Sequence, residues 1–136
     1  MKKPSYVLDS FAVLAYFQAE PGGTKVKDLL KKASSGKILA FISAINLGEI
    51  IYITERKIGR IEAENTMEDI FRLPIQVAEA SMDRVLAAAH VKAQYAISYA
   101  DAFAVSLAKE LEGAVITADP EFKKVESLTE ILWLAT

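Results

Sequence analysis

The chain contains no cysteine and a single histidine, His90. The first absence excludes disulfide frameworks, thiol nucleophiles and cysteine-ligated zinc or iron–sulfur centres. The second excludes multi-histidine metal sites and leaves one candidate for any imidazole-based triad. Long apolar runs are missing too, since no stretch reaches the ~18 uninterrupted residues that suggest a membrane span. Neither sign of charge dominates: 16 Lys and Arg stand against 18 Asp and Glu, a formal net charge of −2. No strong global field therefore draws the protein to nucleic acid or to an anionic membrane. Any catalysis must rest on carboxylates, hydroxyls, lysines or arginines.

What is present is a core. The 136 residues are 52% hydrophobic and 25% charged, with a mean hydropathy of +0.22, which excludes a disordered or collagen-like chain. No repeat, linker or low-complexity tract divides the sequence, so residues 1–136 are expected to form one domain. Met1-Lys2-Lys3 and the apolar run after it superficially suggest a signal peptide. Asp9 interrupts that run, and no small-residue cleavage site follows. The expectation is a soluble cytoplasmic domain with no membrane association.

Short apolar runs alternate with longer helical segments. Tyr6–Leu8, Ile38–Ile42, Ile75–Ala78, Ala114–Thr117 and Thr129–Leu134 read as strands. Helices are expected from Ser10 to Phe17, from Thr24 to a stop at Gly36, from Ser43 to Lys57 and from Arg60 to Leu73. Two more begin at the caps Ser81 and Ser98, the second reaching Leu111 with Gly113 closing it, and Asp119-Pro120 marks a last helical start. The alternation argues for an α/β sandwich around a mostly parallel sheet. Phe11, Tyr16 and Phe17 are read as core residues, and His90 as a packed or rim residue.

Most of the acids sit beside lysine or arginine on helical faces. Asp9, Glu49 and Asp101 instead stand as the only charges in long apolar stretches, where a carboxylate is costly without a partner. Asp119 is a fourth candidate by position, just past the strand Ala114–Thr117, as Asp9 lies just past the first strand. Ligands bind at that edge of open α/β sheets. Glu49 and Asp101 fall in the first two turns after their caps, toward the same end. Each acid taken singly has a plainer reading: Asp9 and Asp119 suit N-caps, Ser98-x-x-Asp101 fits a capping box, and Glu79 is nearly as isolated as Asp119. The constellation outweighs its members.

Converging carboxylates repel one another, by about 3 kcal/mol for a pair 5 Å apart at an effective dielectric of about 20. Protons or a hard cation must relieve this, and an all-oxygen set favours Mg²⁺ or Mn²⁺ over zinc. Such a cation on an open site suits phosphoryl chemistry. No glycine-rich phosphate loop competes. Positive charge clusters locally at Lys25, Lys27, Lys31 and Lys32, and at Arg56, Lys57 and Arg60, as rim candidates for a phosphate backbone.

The stretches Tyr6-Val7-Leu8-Asp9-Ser10, Asn46-Leu47-Gly48-Glu49, Ser98-Tyr99-Ala100-Asp101-Ala102-Phe103-Ala104 and Ile116-Thr117-Ala118-Asp119-Pro120-Glu121-Phe122 resemble the four acidic motifs of PIN-domain ribonucleases in order and spacing. A free-standing domain of this size is similar to VapC, the toxin half of type II toxin–antitoxin pairs. The resemblance implies a three-layer α/β/α PIN-like sandwich and an endoribonuclease dependent on Mg²⁺ or Mn²⁺. Asp9, Glu49, Asp101 and Asp119 would surround the metal as its catalytic ligands, with Ser10 and Thr117 in support. It also implies a homodimer that cleaves RNA and is neutralised by a small VapB-like antitoxin. Ala118 departs from the glycine many relatives carry there, which alters the loop without removing a ligand. Two other readings compete: a non-catalytic PIN-fold module binding RNA or protein, and a phosphoacceptor receiver-like domain. A scaffold has no need of four clustered acids, and the receiver reading lacks adjacent acids at the first strand and a lysine after the last.

Overall fold

Strands that are apolar on both faces need helices on both faces, and the computed structural model of the chain, which describes residues 2–134, has that arrangement. The strands are β1 (Ser5–Leu8), β2 (Leu39–Ser43), β3 (Gln76–Ala78), β4 (Ala114–Thr117) and β5 (Glu130–Trp133). They form one sheet in the order β3-β2-β1-β4-β5. Every pairing is parallel, so the sheet goes beyond the mostly parallel one expected. The helices are α1 (Ser10–Phe17), α2 (Gly23–Ser34), α3 (Ala44–Ile58), α4 (Arg60–Arg72), α5 (Met82–Gln94) and α6 (Tyr99–Glu110), followed by a 3₁₀ helix at Pro120–Val125.

Side chains alternate across the sheet. Leu8, Ile42 and Ile116 pack on one face with Val13 of α1, Leu29 of α2, Ile50 of α3 and Ile70 of α4. Val7 and Val115 pack on the other with Ala88 of α5, Val105 of α6 and Phe122 of the 3₁₀ helix. The interior strand β4 is buried at all four positions, whereas the edge strands β3 and β5 are partly exposed. The chain runs from β1 outward to β2 and β3, then crosses to β4 on the opposite side. A topological switch point therefore lies between β1 and β4, and a crevice opens beyond their carboxyl ends.

Two local readings change. α1 has the sequence Ser-Phe-Ala-Val-Leu-Ala-Tyr-Phe, with no polar face to show which side is buried. Tyr16 and Phe17 meet edge to face against the core, with ring centroids 5.2 Å apart. Phe11, expected in the core, is 51% exposed at the start of the helix. At the end of α6 the left-handed turn is made by Glu112 (φ +53°). Gly113 serves a different need, because a Cβ there would lie 2.2 Å from the carbonyl oxygen of Ser5. Among the described residues no helix is long and apolar enough to cross a membrane.

Candidate active site

The register of β1 and β4 pairs Leu8 with Ile116, and the Asp9 N–H continues that ladder by donating to the Ile116 carbonyl at 3.3 Å. Asp9 and Thr117 are therefore neighbours at the crevice floor. Asp9 is 1% exposed and Thr117 fully buried. The Thr117 hydroxyl donates to Asp9 Oδ2, while Asp9 Oδ1 accepts from the Ala12 N–H at 2.8 Å and so caps α1. The same Thr117 Oγ1 accepts from the Asp119 N–H at 2.9 Å. One hydroxyl thus ties two of the sequence-predicted acids together. Asp119 also acts as a cap, its Oδ1 accepting from the Glu121 N–H at 2.9 Å.

Ser43 caps α3, which sets Asn46 and Glu49, three residues apart, on one side of that helix. Ser10, buried at the start of α1, donates its hydroxyl to Glu49 Oε1, with the Asn46 carbonyl at 3.2 Å as the alternative acceptor. Asn46 is fully buried. Its Nδ2 donates to Ser10 Oγ at 3.3 Å and to the Ala100 carbonyl at 3.2 Å, joining α1, α3 and the residue just ahead of Asp101. Its Oδ1 has no hydrogen-bond partner. Asp101 lies in the first turn of α6, where its N–H donates to the capping Ser98 hydroxyl at 3.1 Å.

No lysine or arginine forms an ion pair with Asp9, Glu49, Asp101 or Asp119 among the described residues. The consequence is electrostatic. Burial pushes the Asp9 carboxyl from its ordinary 3.8 up to about 7; the Thr117 hydroxyl and Ala12 N–H oppose this, and Asp101 and Asp119 add to it. Asp101 is raised to about 6, again chiefly by burial, against its hydrogen bond with Ser98, with Asp119, Glu49 and Glu121 contributing repulsion. These four acids and Glu121 therefore share one electrostatic neighbourhood, in which burial and mutual repulsion, with no basic partner to offset them, shift two of the carboxyls toward the protonated form.

The donor chemistry fits a hard divalent cation: oxygen ligands only, repelling one another, with a buried amide oxygen left over at Asn46. Among the described residues no three carboxylates stand close enough together to cage an ion by themselves. Mg²⁺ does not require a cage. It keeps several waters and is commonly held by one or two carboxylates, so an open, water-completed site is the kind these residues suit.

Asn46 and Glu121 escaped the sequence reading as site residues, although both lie inside the quoted motifs. Asn46 is singled out only by the packing that brings Ser10 and the Ala100 carbonyl to its amide. The basic clusters are partly engaged elsewhere: Arg60 pairs with Glu64 at 3.1 Å and the Arg56 guanidinium lies 5.5 Å from the Tyr52 ring centroid. Lys25 Nζ donates to the Trp133 carbonyl at 3.1 Å.

Residues 6–128 match the family model described as PIN domain. No curated protein sequence matches the chain. Among solved structures, VapBC2 from Rickettsia felis, bound to a DNA fragment from its promoter, is similar in fold with a TM-score of 0.75 at 16% identity, over 96% of this chain and 99% of that one. DNA-bound VapBC from Salmonella typhimurium gives 0.74 at 16% identity, over 97% and 99%. VapBC-1 from nontypeable Haemophilus influenzae gives 0.69 at 14%, over 97% and 99%. At these identities the likeness is one of fold.

Proposed function

The chain belongs to the PIN-domain family, and from that premise we propose that it is a Mg²⁺- or Mn²⁺-dependent endoribonuclease, the VapC-type toxin of a type II toxin–antitoxin pair. The observation that carries this reading is the group of acids at the β1–β4 switch point, buried or half-buried and unneutralised by any basic side chain. In this proposal Asp9, Glu49, Asp101 and Asp119 surround the cation, one or two of them ligating it directly and the others through its waters. When bound, it neutralises charge developing on the phosphate and makes water more acidic.

The chain's own residues do the positioning. Ser10 fixes Glu49 through Oε1, leaving Oε2 to take a proton from the attacking water. Thr117 sets the spacing of Asp9 and Asp119 by bonding to both. Asp101, raised to about 6 by burial, gives up its proton when the cation binds and is then held ionised beside it. Residues 1–136 act as one domain, in the cytoplasm. The fold likeness to VapBC chains supports a VapB-like antitoxin as partner. Exposed apolar residues such as Ile61, Met82 and Phe71 support a homodimer.

The engagement of both Asp9 oxygens by Thr117 and Ala12 favours a second reading, in which the acids are caps in a non-catalytic scaffold. One experiment separates the two. Protein freed of its inhibitor should cut RNA in Mg²⁺ or Mn²⁺ and stop on chelation; unchanged cutting in excess EDTA, or none with metal, overturns the metal-dependent nuclease.

A further inference from the structure

The chemistry proposed for the acids leaves one buried polar side chain beside them, Asn46, without a task. It is fully buried in α3, one turn ahead of Glu49, and its surroundings fix which way its amide points. Nδ2 lies 3.2 Å from the Ala100 carbonyl and 3.3 Å from Ser10 Oγ. A backbone carbonyl can only accept, so the amide must present its NH₂ there. Turned over, two oxygens would face each other. Ser10 Oγ therefore accepts from Asn46 and has a single proton left to give. Two acceptors compete for that proton, Glu49 Oε1 and the backbone carbonyl of Asn46. A carboxylate makes the stronger bond, and a hydroxyl that already accepts an N–H is polarised into a better donor. Donation thus runs in one direction, from Asn46 through Ser10 to Glu49.

The other end of the amide carries a cost. Asn46 Oδ1 is buried with no hydrogen-bond partner among the described residues, and a polar group left in that state opposes folding. A leucine of similar size would avoid it. Departures of this kind from the rules of stable packing concentrate where function needs the residue.

We propose that Asn46 is a positioning residue for the metal site: anchored on the Ala100 carbonyl and donating to Ser10, it keeps the Ser10 hydroxyl directed at Glu49 and so holds that carboxylate in the orientation that receives the cation. The inference rests on the metal-dependent reading and adds a residue that acts through another. Without the amide, the hydroxyl is free to turn to the backbone carbonyl of residue 46, which every side-chain variant keeps. Glu49 then loses its fixed Oε1 contact. Groups that orient a metal ligand change affinity or activity by about 10–100-fold when removed.

The test is a calorimetric titration of Mn²⁺ into the metal-free parent, Asn46→Leu, Ser10→Ala and the double variant, each shown to be folded by its melting curve. Asn46→Leu should weaken Mn²⁺ binding about ten-fold or more. At saturating Mn²⁺ it should lower kcat on RNA while leaving KM unchanged. Ser10→Ala should do the same, and the double variant should be no worse than either single one, because no hydroxyl remains to be directed. Parental Mn²⁺ affinity in folded Asn46→Leu makes the amide merely structural and overturns the inference, with the nuclease reading left standing. Losses that add in the double variant overturn the route through Ser10 and the inference with it. A parent that binds no Mn²⁺ fails the metal-dependent reading, and this inference falls too. Should Asn46→Leu not fold, Asn46→Ala replaces it with the same expected direction. A Mg²⁺ titration followed by the Asn46 side-chain NH₂ resonances needs no change at that residue. They should shift in the parent and stay still in Ser10→Ala, and resonances unmoved in a parent that binds Mg²⁺ overturn the inference.

Discussion

Thr117 donates its hydroxyl to Asp9, 108 positions earlier in the chain, across the pairing of the two central strands. The same oxygen accepts from the Asp119 N–H, so one side chain both restrains a buried acid and sets the direction of the loop bearing another. Thr117→Val keeps the shape and removes both bonds. It should destabilise the fold by about 1–3 kcal/mol, the usual penalty for buried groups left unsatisfied. With its largest pKa-lowering partner gone, Asp9 should also hold its proton to higher pH. Thermal melts, and a pH–rate profile whose acidic limb moves upward, check the two effects separately.

The raised carboxyls fix the sign of a pH effect. A group whose folded pKa lies above its unfolded value stabilises the fold fully below the unfolded value, and loses that contribution as pH rises through the folded one. For Asp101 and Asp9 the losses build above the ordinary 3.8 and are complete above about 6 and about 7. In metal-free buffer the melting temperature should therefore rise as pH is lowered from 8 to roughly 5. Excess Mg²⁺ should flatten that slope, because it favours the ionised acids. A melting temperature that falls steadily over this range without metal contradicts the electrostatic account.

Neutral replacements follow the same logic. Asp9→Asn and Asp101→Asn should abolish cleavage while raising the melting temperature at pH 8 in EDTA, since each removes a buried charge and its repulsions. The gain should shrink at pH 5, where the folded-state carboxyls are protonated, and vanish only below the ordinary value of 3.8. Unfolding of both variants at pH 8 would mean that the acids are needed as ionised caps.

The sheet was legible in the sequence because its strands are short apolar runs with turn signals on either side, and β4 lies where Ala114–Thr117 placed it. The four acids stood out for a related reason, as lone charges in apolar surroundings or just past strand ends. Phe11 was not legible, because α1 is apolar on nearly every side and periodicity cannot say which ring faces out. Asn46 was missed because an uncharged amide carries no isolation signal. Its importance lies in bonds to Ser10 and Ala100, which only the packing of α1, α3 and α6 creates.

Self-association should follow from the apolar surface. Ile58, Ile61, Phe71, Met82 and Leu86 are each more than half exposed, more than scattered single exposures would place on so small a fold. Light scattering at tens of micromolar should report a two-fold dimer, and Ile61→Glu combined with Met82→Glu should yield monomers with an unchanged circular dichroism spectrum. A monomeric parent protein excludes the dimer.

Calorimetric titration of Mn²⁺ into the metal-free protein, in buffers of differing ionisation enthalpy, reads the affinity and the protons displaced together. If Asp9 and Asp101 hold the cation, binding at pH 6.5 must expel protons from carboxyls whose pKa values are about 7 and about 6. The account predicts saturable binding with net proton release, and loss of both in the Asp9→Asn/Asp101→Asn double variant. Undiminished binding by that variant, or binding by the parent with no proton release, contradicts it.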